Sequence, residues 1–268
     1  HKCGWKGKIK DNIEIMPIAK IYKKPSKSNM ISLTDKGKSF LTDRGITEEV
    51  IKNNKIVSTR NDKSILFPYF KDGVIINYKT RGIDGKSFTQ SKDAESIIYN
   101  YDNCVDQKTI VICEGEIDSL SWEVAGIESH TSVNMGAPNS KDSNIDKKLE
   151  CLTNCYDIFK NADIIYIATD EDENGRNLQK ELIRRFESEK CFLVDLKPYK
   201  DANEVLVHEG VESLRNRLKT ASRPKKEGIF SVADVGESMI DGFHNGQERG
   251  TTTYVKEIDG AWTWRTGE

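Results

Sequence analysis

The segment IIYIATDEDENGRNLQKELIRRF, residues 164–186, ends an apolar run in four acidic side chains, Asp170-Glu171-Asp172-Glu173. In an extended chain, residues i and i+2 point the same way, so Asp170 and Asp172 face one point while Glu171 turns aside. Glu114 follows a second apolar run, TIVIC (109–113), with Gly115 at the turn, and Asp118 lies one turn into the helical pattern beyond it. Asp201 follows a third run, CFLVDL (191–196). Carboxylates gathered at one place raise one another's pKa and repel; a hard divalent cation removes that cost, and Mg²⁺ is held by a few carboxylates together with substrate phosphates. The chemistry indicated is metal-assisted phosphoryl transfer. Removing mutually repelling carboxylates, such as Asp170 or Asp172, is then expected to leave the fold as stable as before.

DEDENG alone also reads as a solvated acidic loop. It even has a Glu, Glu181, six residues after Gly175, as an EF-hand calcium loop requires. The segment before it is a β-run and not a helix, which counts against that reading. The order of the three clusters, Glu-Gly, then Asp-x-Asp-x-x-Gly, then Lys-Asp-Ala-Asn-Glu, favours one shared site.

Elements that would position these residues alternate from residue 108 onward. TIVIC, HTSVNMG, DIIYIATD and CFLVDL read as buried strands. IDSLSWEVAG, KKLECLTNCYDIFKNA, RNLQKELIRRF and KDANEVLVHEG read as helices. Such alternation predicts an α/β fold with a parallel sheet and helices on both faces, and ligands bind at the carboxyl ends of such strands. Upstream, 33–54 reads as two short helices broken at Gly45, the second starting at Thr47. Residues 64–82 read as a hairpin turning at Asp72-Gly73, and 87–92 as a further strand. Residues 10–32 read as a linker.

The 268 residues are 36% hydrophobic and 31% charged, and no apolar run approaches the ~20 residues of a membrane helix. The N-terminus has no signal-peptide core. Six cysteines without a secretory signal read as reduced thiols. Residues 1–90 carry a net charge of +10 and the remainder −12. Solvated surface accounts for that asymmetry, and so does a polyanion on one side with metal cations on the other.

VICEGEIDSLS followed by IIYIATDEDENG resembles the TOPRIM fold of DnaG-type primases, type IA and II topoisomerases and some nucleases. YKDANEVL resembles, more narrowly, the primase–helicases of tailed bacteriophages and their relative Twinkle. The resemblance runs from about residue 33 to the end. It implies a TOPRIM parallel sheet preceded by a smaller basic α+β subdomain and followed by a linker and helix. The implied divisions are a zinc-ribbon remnant and linker (1–32), a basic subdomain (33–107), the TOPRIM domain (108–210), a linker (211–230) and the start of a ring-helicase domain (231–268).

The implied activity is DNA primase: RNA primer synthesis on single-stranded DNA from ribonucleoside triphosphates. Glu114, Asp118, Asp170, Asp172 and Asp201 would hold Mg²⁺ or Mn²⁺, with Glu114, Asp170 and Asp172 catalytic. Lys79, Arg81 and Lys86 would grip template or nucleotide phosphates. Tyr69, Phe70 and Tyr78 are candidates for base stacking or for core packing. CGWKG resembles the close of a zinc ribbon in which Cys3 is a remnant ligand, so zinc is not expected in this chain. No Gly-x-x-x-x-Gly-Lys-Ser/Thr occurs in it, so no ATP-driven motor is expected either; the helicase domain of the full-length chain would be the partner. Residues 231–246 carry an apolar stripe, Val232, Val235, Met239, Ile240 and Phe243, suited to docking on a neighbouring subunit. The resemblance places the protein in the cytoplasm of a bacterial or phage-infected cell, off the membrane. A non-priming Twinkle-like helicase fragment and a TOPRIM nuclease or topoisomerase are the alternatives. Retention of all five carboxylates argues against the first, and no tyrosine nucleophile is evident for a topoisomerase.

Overall fold

A computed structural model describes residues 20–26, 29–85, 87–139, 141–225, 236, 239–241 and 243–244. The chain forms two compact units, 1–224 and 225–268. In the second unit, the described residues 236, 239–241 and 243–244 are helical. Val232 and Val235 of the expected apolar stripe, and the remnant ligand Cys3, lie outside the described residues.

The first unit contains two sheets. An antiparallel sheet joins β1 (Met30–Ile31), β2 (Val57–Thr59), β3 (Ser64–Lys71), β4 (Val74–Gly82) and β5 (Phe88–Gln90) in chain order. Asp72 and Gly73 both take positive φ, 54° and 72°, which closes the β3–β4 hairpin as the Asp-Gly pair predicts. Between β1 and β2 run α1 (Asp35–Thr42) and α2 (Glu48–Asn53), capped by Thr34 and Thr47, with Gly45 at φ 75° ending the first. β1 lies within residues expected to be linker, and its pairing with β2 brings it into the sheet.

After α3 (Tyr101–Cys104), the strands β6 (Thr109–Cys113), β7 (His130–Ser132), β8 (Ile164–Ala168) and β9 (Cys191–Leu193) form a parallel sheet in the order β7-β6-β8-β9. The intervening helices are α4 (Glu116–Val124), α5 (Ile145–Lys148), α6 (Glu150–Asn154), α7 (Tyr156–Asn161) and α8 (Glu173–Arg185). The expectation of an α/β fold with a helix-flanked parallel sheet is met, and a five-stranded antiparallel sheet precedes the four-stranded parallel one.

Two boundaries differ. The single helix expected over KKLECLTNCYDIFKNA is three short ones, broken at Leu149 and Cys155, both of them buried. Burying each break residue along with Leu152 and Phe159 overrides the continuous helical period. The expected linker from 211 begins with structure: α9 (Ala202–Glu209) is followed by α10 (Val211–Lys219), whose Leu214 is fully buried, and Ser222 bridges to Leu193. Residues 211–222 therefore belong to the parallel-sheet unit. The described cysteines Cys104, Cys113, Cys151, Cys155 and Cys191 are free and buried. Among the described residues, no helix is long and apolar enough to cross a membrane.

Candidate active site: an acidic wall facing a basic hairpin

The strand order places the site. From β6 the chain moves outward to β7, and from β8 it moves outward to β9 on the other side. The sheet's topological switch point is thus between β6 and β8, where the loops leaving two adjacent strands diverge and open a crevice. Cys113 pairs with Ala168, so Glu114 and Asp170 emerge side by side from neighbouring strand ends.

Each acidic residue is locally fixed. Asp172 is the N-cap of α8: its Oδ1 accepts from the Gly175 N–H at 2.9 Å. Asp201 caps α9, accepting from the Glu204 N–H at 2.8 Å. Asp118 accepts from the Asn203 N–H at 3.2 Å. Gly175 has a steric reason, since a Cβ there would lie 1.9 Å from the Asp170 carbonyl oxygen. Glu171 turns away, as the alternation predicts, and its Oε1 accepts from the Leu196 N–H at 3.2 Å.

Burial pushes the Glu114 carboxyl up to about 7, with the Asp170 charge adding to it and the Ala137 N–H opposing. Its Oε2 is buried and has no hydrogen-bond donor. Burial first, and then neighbouring carboxylates, also raise Asp118, which feels Asp201 and Asp170. Asp170 and Asp201 are raised chiefly by burial too, with Lys200 working against it in both. Burial disfavours the Asp172 charge, but the Gly175 N–H and Lys200 outweigh it and its pKa is lowered. Lys200 was not singled out from the sequence. Its ammonium lies 2.5 Å from Asp170 Oδ2 and 3.2 Å from Asp172 Oδ2.

The opposite wall comes from the hairpin. Lys79 and Arg81 lie two residues apart on β4, on one face, and pair across to Gln90 and Phe88 of β5. Lys79 is not the free basic side chain that the sequence suggested. It is buried, with its ammonium 2.8 Å from Oε1 of the equally buried Glu116, which also accepts from the Tyr69 hydroxyl at 2.5 Å. Glu116 opens α4, so this group fastens the hairpin to the parallel-sheet unit. Arg81 is half-buried, and burial together with the nearby Arg44 guanidinium lowers its pKa. The Glu116, Asp118 and Asp201 carboxylates work against that lowering. Lys86 lies outside the described residues.

A second contact joins the same two parts of the first unit. The Asn203 side-chain amide donates to the Arg44 carbonyl at 2.7 Å and to Ser121 Oγ at 3.0 Å. Between the two walls is a cleft of about 670 Å³, lined by Glu114, Asp118, Asp170, Lys200 and Asp201 on one side and by Lys79, Arg81 and Phe88 on the other. Asp172 does not line it and joins the cluster through Lys200. As they stand, no three His, Cys, Asp or Glu side chains among the described residues are arranged to hold one metal ion. The stacking candidates Tyr69 and Tyr78 are buried, whereas Phe88 and Met135, half exposed in the same cleft, were missed.

A Toprim-like family model matches residues 111–206. The chain is 31% identical to the Twinkle homolog protein, chloroplastic/mitochondrial, of Arabidopsis thaliana; the match spans the whole chain and 40% of that protein. It is 32% identical to the Arabidopsis primase homolog protein, over 82% of this chain and 71% of that one. In structure it is similar to the primase fragment of the bacteriophage T7 primase-helicase protein, with a TM-score of 0.57 and 24% identity, over 73% of this chain and 82% of the fragment. That likeness speaks to the fold.

Proposed function

The chain belongs to the TOPRIM primase family that includes the primase homolog and Twinkle homolog proteins, and we propose that it acts as a DNA primase, joining ribonucleotides into short RNA primers on single-stranded DNA. The observation that carries this reading is the two-walled cleft. Buried carboxylates stand at the switch point, and a half-buried arginine and an exposed aromatic ring stand opposite. A nucleoside triphosphate with its divalent cation has complementary parts for both walls.

The acidic residues fit such a cation. The donors are hard carboxylate oxygens, one of them, Glu114 Oε2, is a buried acceptor with no donor, and three further carboxyls have pKa values raised by burial and by one another's charge. Glu114, Asp118, Asp170, Asp172 and Asp201 would hold Mg²⁺ or Mn²⁺, which supplies neutralising charge for the triphosphate and acidifies the attacking hydroxyl. The chain's own part is to position. Arg81 offers planar, paired donors to phosphate oxygens. Phe88 presents a ring face to a base. Asn203 keeps Asp118 in place through its N–H. Lys79, spent on Glu116, serves the wall and not the phosphate.

The basic subdomain at 33–107 and the entry to a ring helicase at 231–268 remain part of the proposal, as do the helicase domain, the template and the nucleotides as partners. The test supplies single-stranded DNA, a short annealed ribonucleotide primer, labelled ribonucleoside triphosphates and Mg²⁺ or Mn²⁺. Extended oligoribonucleotides are expected. DNA cleavage without incorporation would identify a nuclease, and neither product would leave a non-priming helicase fragment.

A further inference from the structure

We propose that Lys200 is an internal counter-ion of the acidic site: a tethered cation that holds Asp170 and Asp172 together in the metal-free protein and is exchanged for the divalent ion. The proposal rests on the metal-binding reading above and adds to it the residue that sets how tightly the ion is taken up.

The geometry is built and not incidental. The ammonium bridges two aspartates of the β8–α8 loop from a different loop, the one before α9. The backbone of Lys200 is fixed on both sides. Its carbonyl accepts from the Glu171 N–H at 2.7 Å, and its own N–H donates to Glu204 Oε2 at 2.9 Å. The side chain therefore starts from a set position, one residue before Asp201, whose capping of α9 is independent of where the lysine points.

The two halves of the pair differ in freedom. The Asp170 side chain is 10% exposed, whereas that of Lys200 is 47% exposed. The anion is fixed and largely dry; the cation sits at the end of four methylenes with water beside it. Such a lysine leaves without moving the carboxylates, and the hydration its ammonium regains offsets part of the lost ion pair. The other lysine of the cleft, Lys79, is engaged by Glu116 on the opposite wall. In the metal-free state Lys200 relieves the repulsion between Asp170 and Asp172. For an ion to use those oxygens, the ammonium must go.

A structural salt bridge between two loops makes different predictions from an exchangeable counter-ion, so the readout is metal binding and not activity alone. Manganese binding is measured by electron paramagnetic resonance on the full chain carrying Lys200→Met, Lys200→Gln or Lys200→Arg, with melting temperature recorded at zero and saturating MnCl₂. With the competing charge gone, Lys200→Met and Lys200→Gln bind Mn²⁺ about fivefold more tightly, the scale of one partly exposed ion pair. Both melt about 2–4 °C below wild type without metal, and the difference closes at saturating Mn²⁺. Lys200→Arg keeps the charge and stays near wild type. Unchanged or weaker Mn²⁺ binding in the two neutral variants, or a melting deficit that saturating Mn²⁺ leaves intact, overturns the proposal while the metal site itself stands. Absence of Mn²⁺ binding in the wild type removes both.

Discussion

The Lys79 ammonium lies 2.8 Å from Glu116 Oε1, and both side chains are almost wholly out of water. Breaking a buried pair from one side leaves the other charge without compensation. Lys79→Met should therefore cost about 3 kcal/mol of unfolding free energy in urea titrations. In Lys79→Met/Glu116→Gln the neutral amide can still accept from Tyr69, so the double variant should lose less than the sum of the single changes, by about 1–2 kcal/mol. Strict additivity would show that the two charges do not depend on each other.

Asp172 is both a carboxylate of the site and the N-cap of α8. The sequence-based expectation that its removal leaves stability unchanged is accordingly revised. Asp172→Ala should lose about 1 kcal/mol through the cap. Asp172→Ser restores a capping oxygen and should melt close to wild type, yet incorporate no nucleotide. Full primer extension by Asp172→Ser would take this carboxylate out of the chemistry.

Phe88 is half exposed and lies beside the Lys79 and Arg81 cations, so its truncation should lower the melting temperature only slightly. If its ring stacks on a base, Phe88→Ala raises the nucleotide or template KM by about tenfold, with a smaller effect on kcat, whereas Phe88→Tyr restores it. Steady-state primer extension at varied nucleotide and template concentrations decides this. Tyr69→Phe should show the converse: lower stability, through the lost hydrogen bond to Glu116, and little change in KM.

Asn203 joins the Arg44 turn to α4. Asn203→Ala deletes two side-chain hydrogen bonds and should cost about 1–3 kcal/mol. Asn203→Asp should fare worse, since a carboxylate would face the Arg44 carbonyl and add negative charge beside Asp118 and Asp201. Thermal melting across a series of salt concentrations separates the two, because added salt screens the charge term alone.

What local signals encode was legible. Asp72-Gly73 marks the hairpin, Thr47 the start of α2, and the apolar runs the four parallel strands, so the residue pattern alone puts Glu114 and Asp170 at strand ends. Pairings between distant segments were not legible. Lys79 and Glu116 each look like surface charges, and only the packing of β4 against the start of α4 takes both from water. Lys200 in YKDANE reads as a solvated loop lysine, since nothing local says that the neighbouring loop presents two aspartates to it. The exposure of Phe88 depends on the sheet edge and has no local signal, whereas Tyr69 and Tyr78 take the core-packing alternative of the two that the hairpin offers.

The antiparallel-sheet part and the parallel-sheet part that flank the cleft are joined by Glu116 with Tyr69 and Lys79 and by Asn203 with Arg44. Relative motion of these two parts would have to break one of those contacts. If the chain extends primers as proposed, the growing duplex then advances by sliding and being regripped, and not by an opening and closing of the cleft.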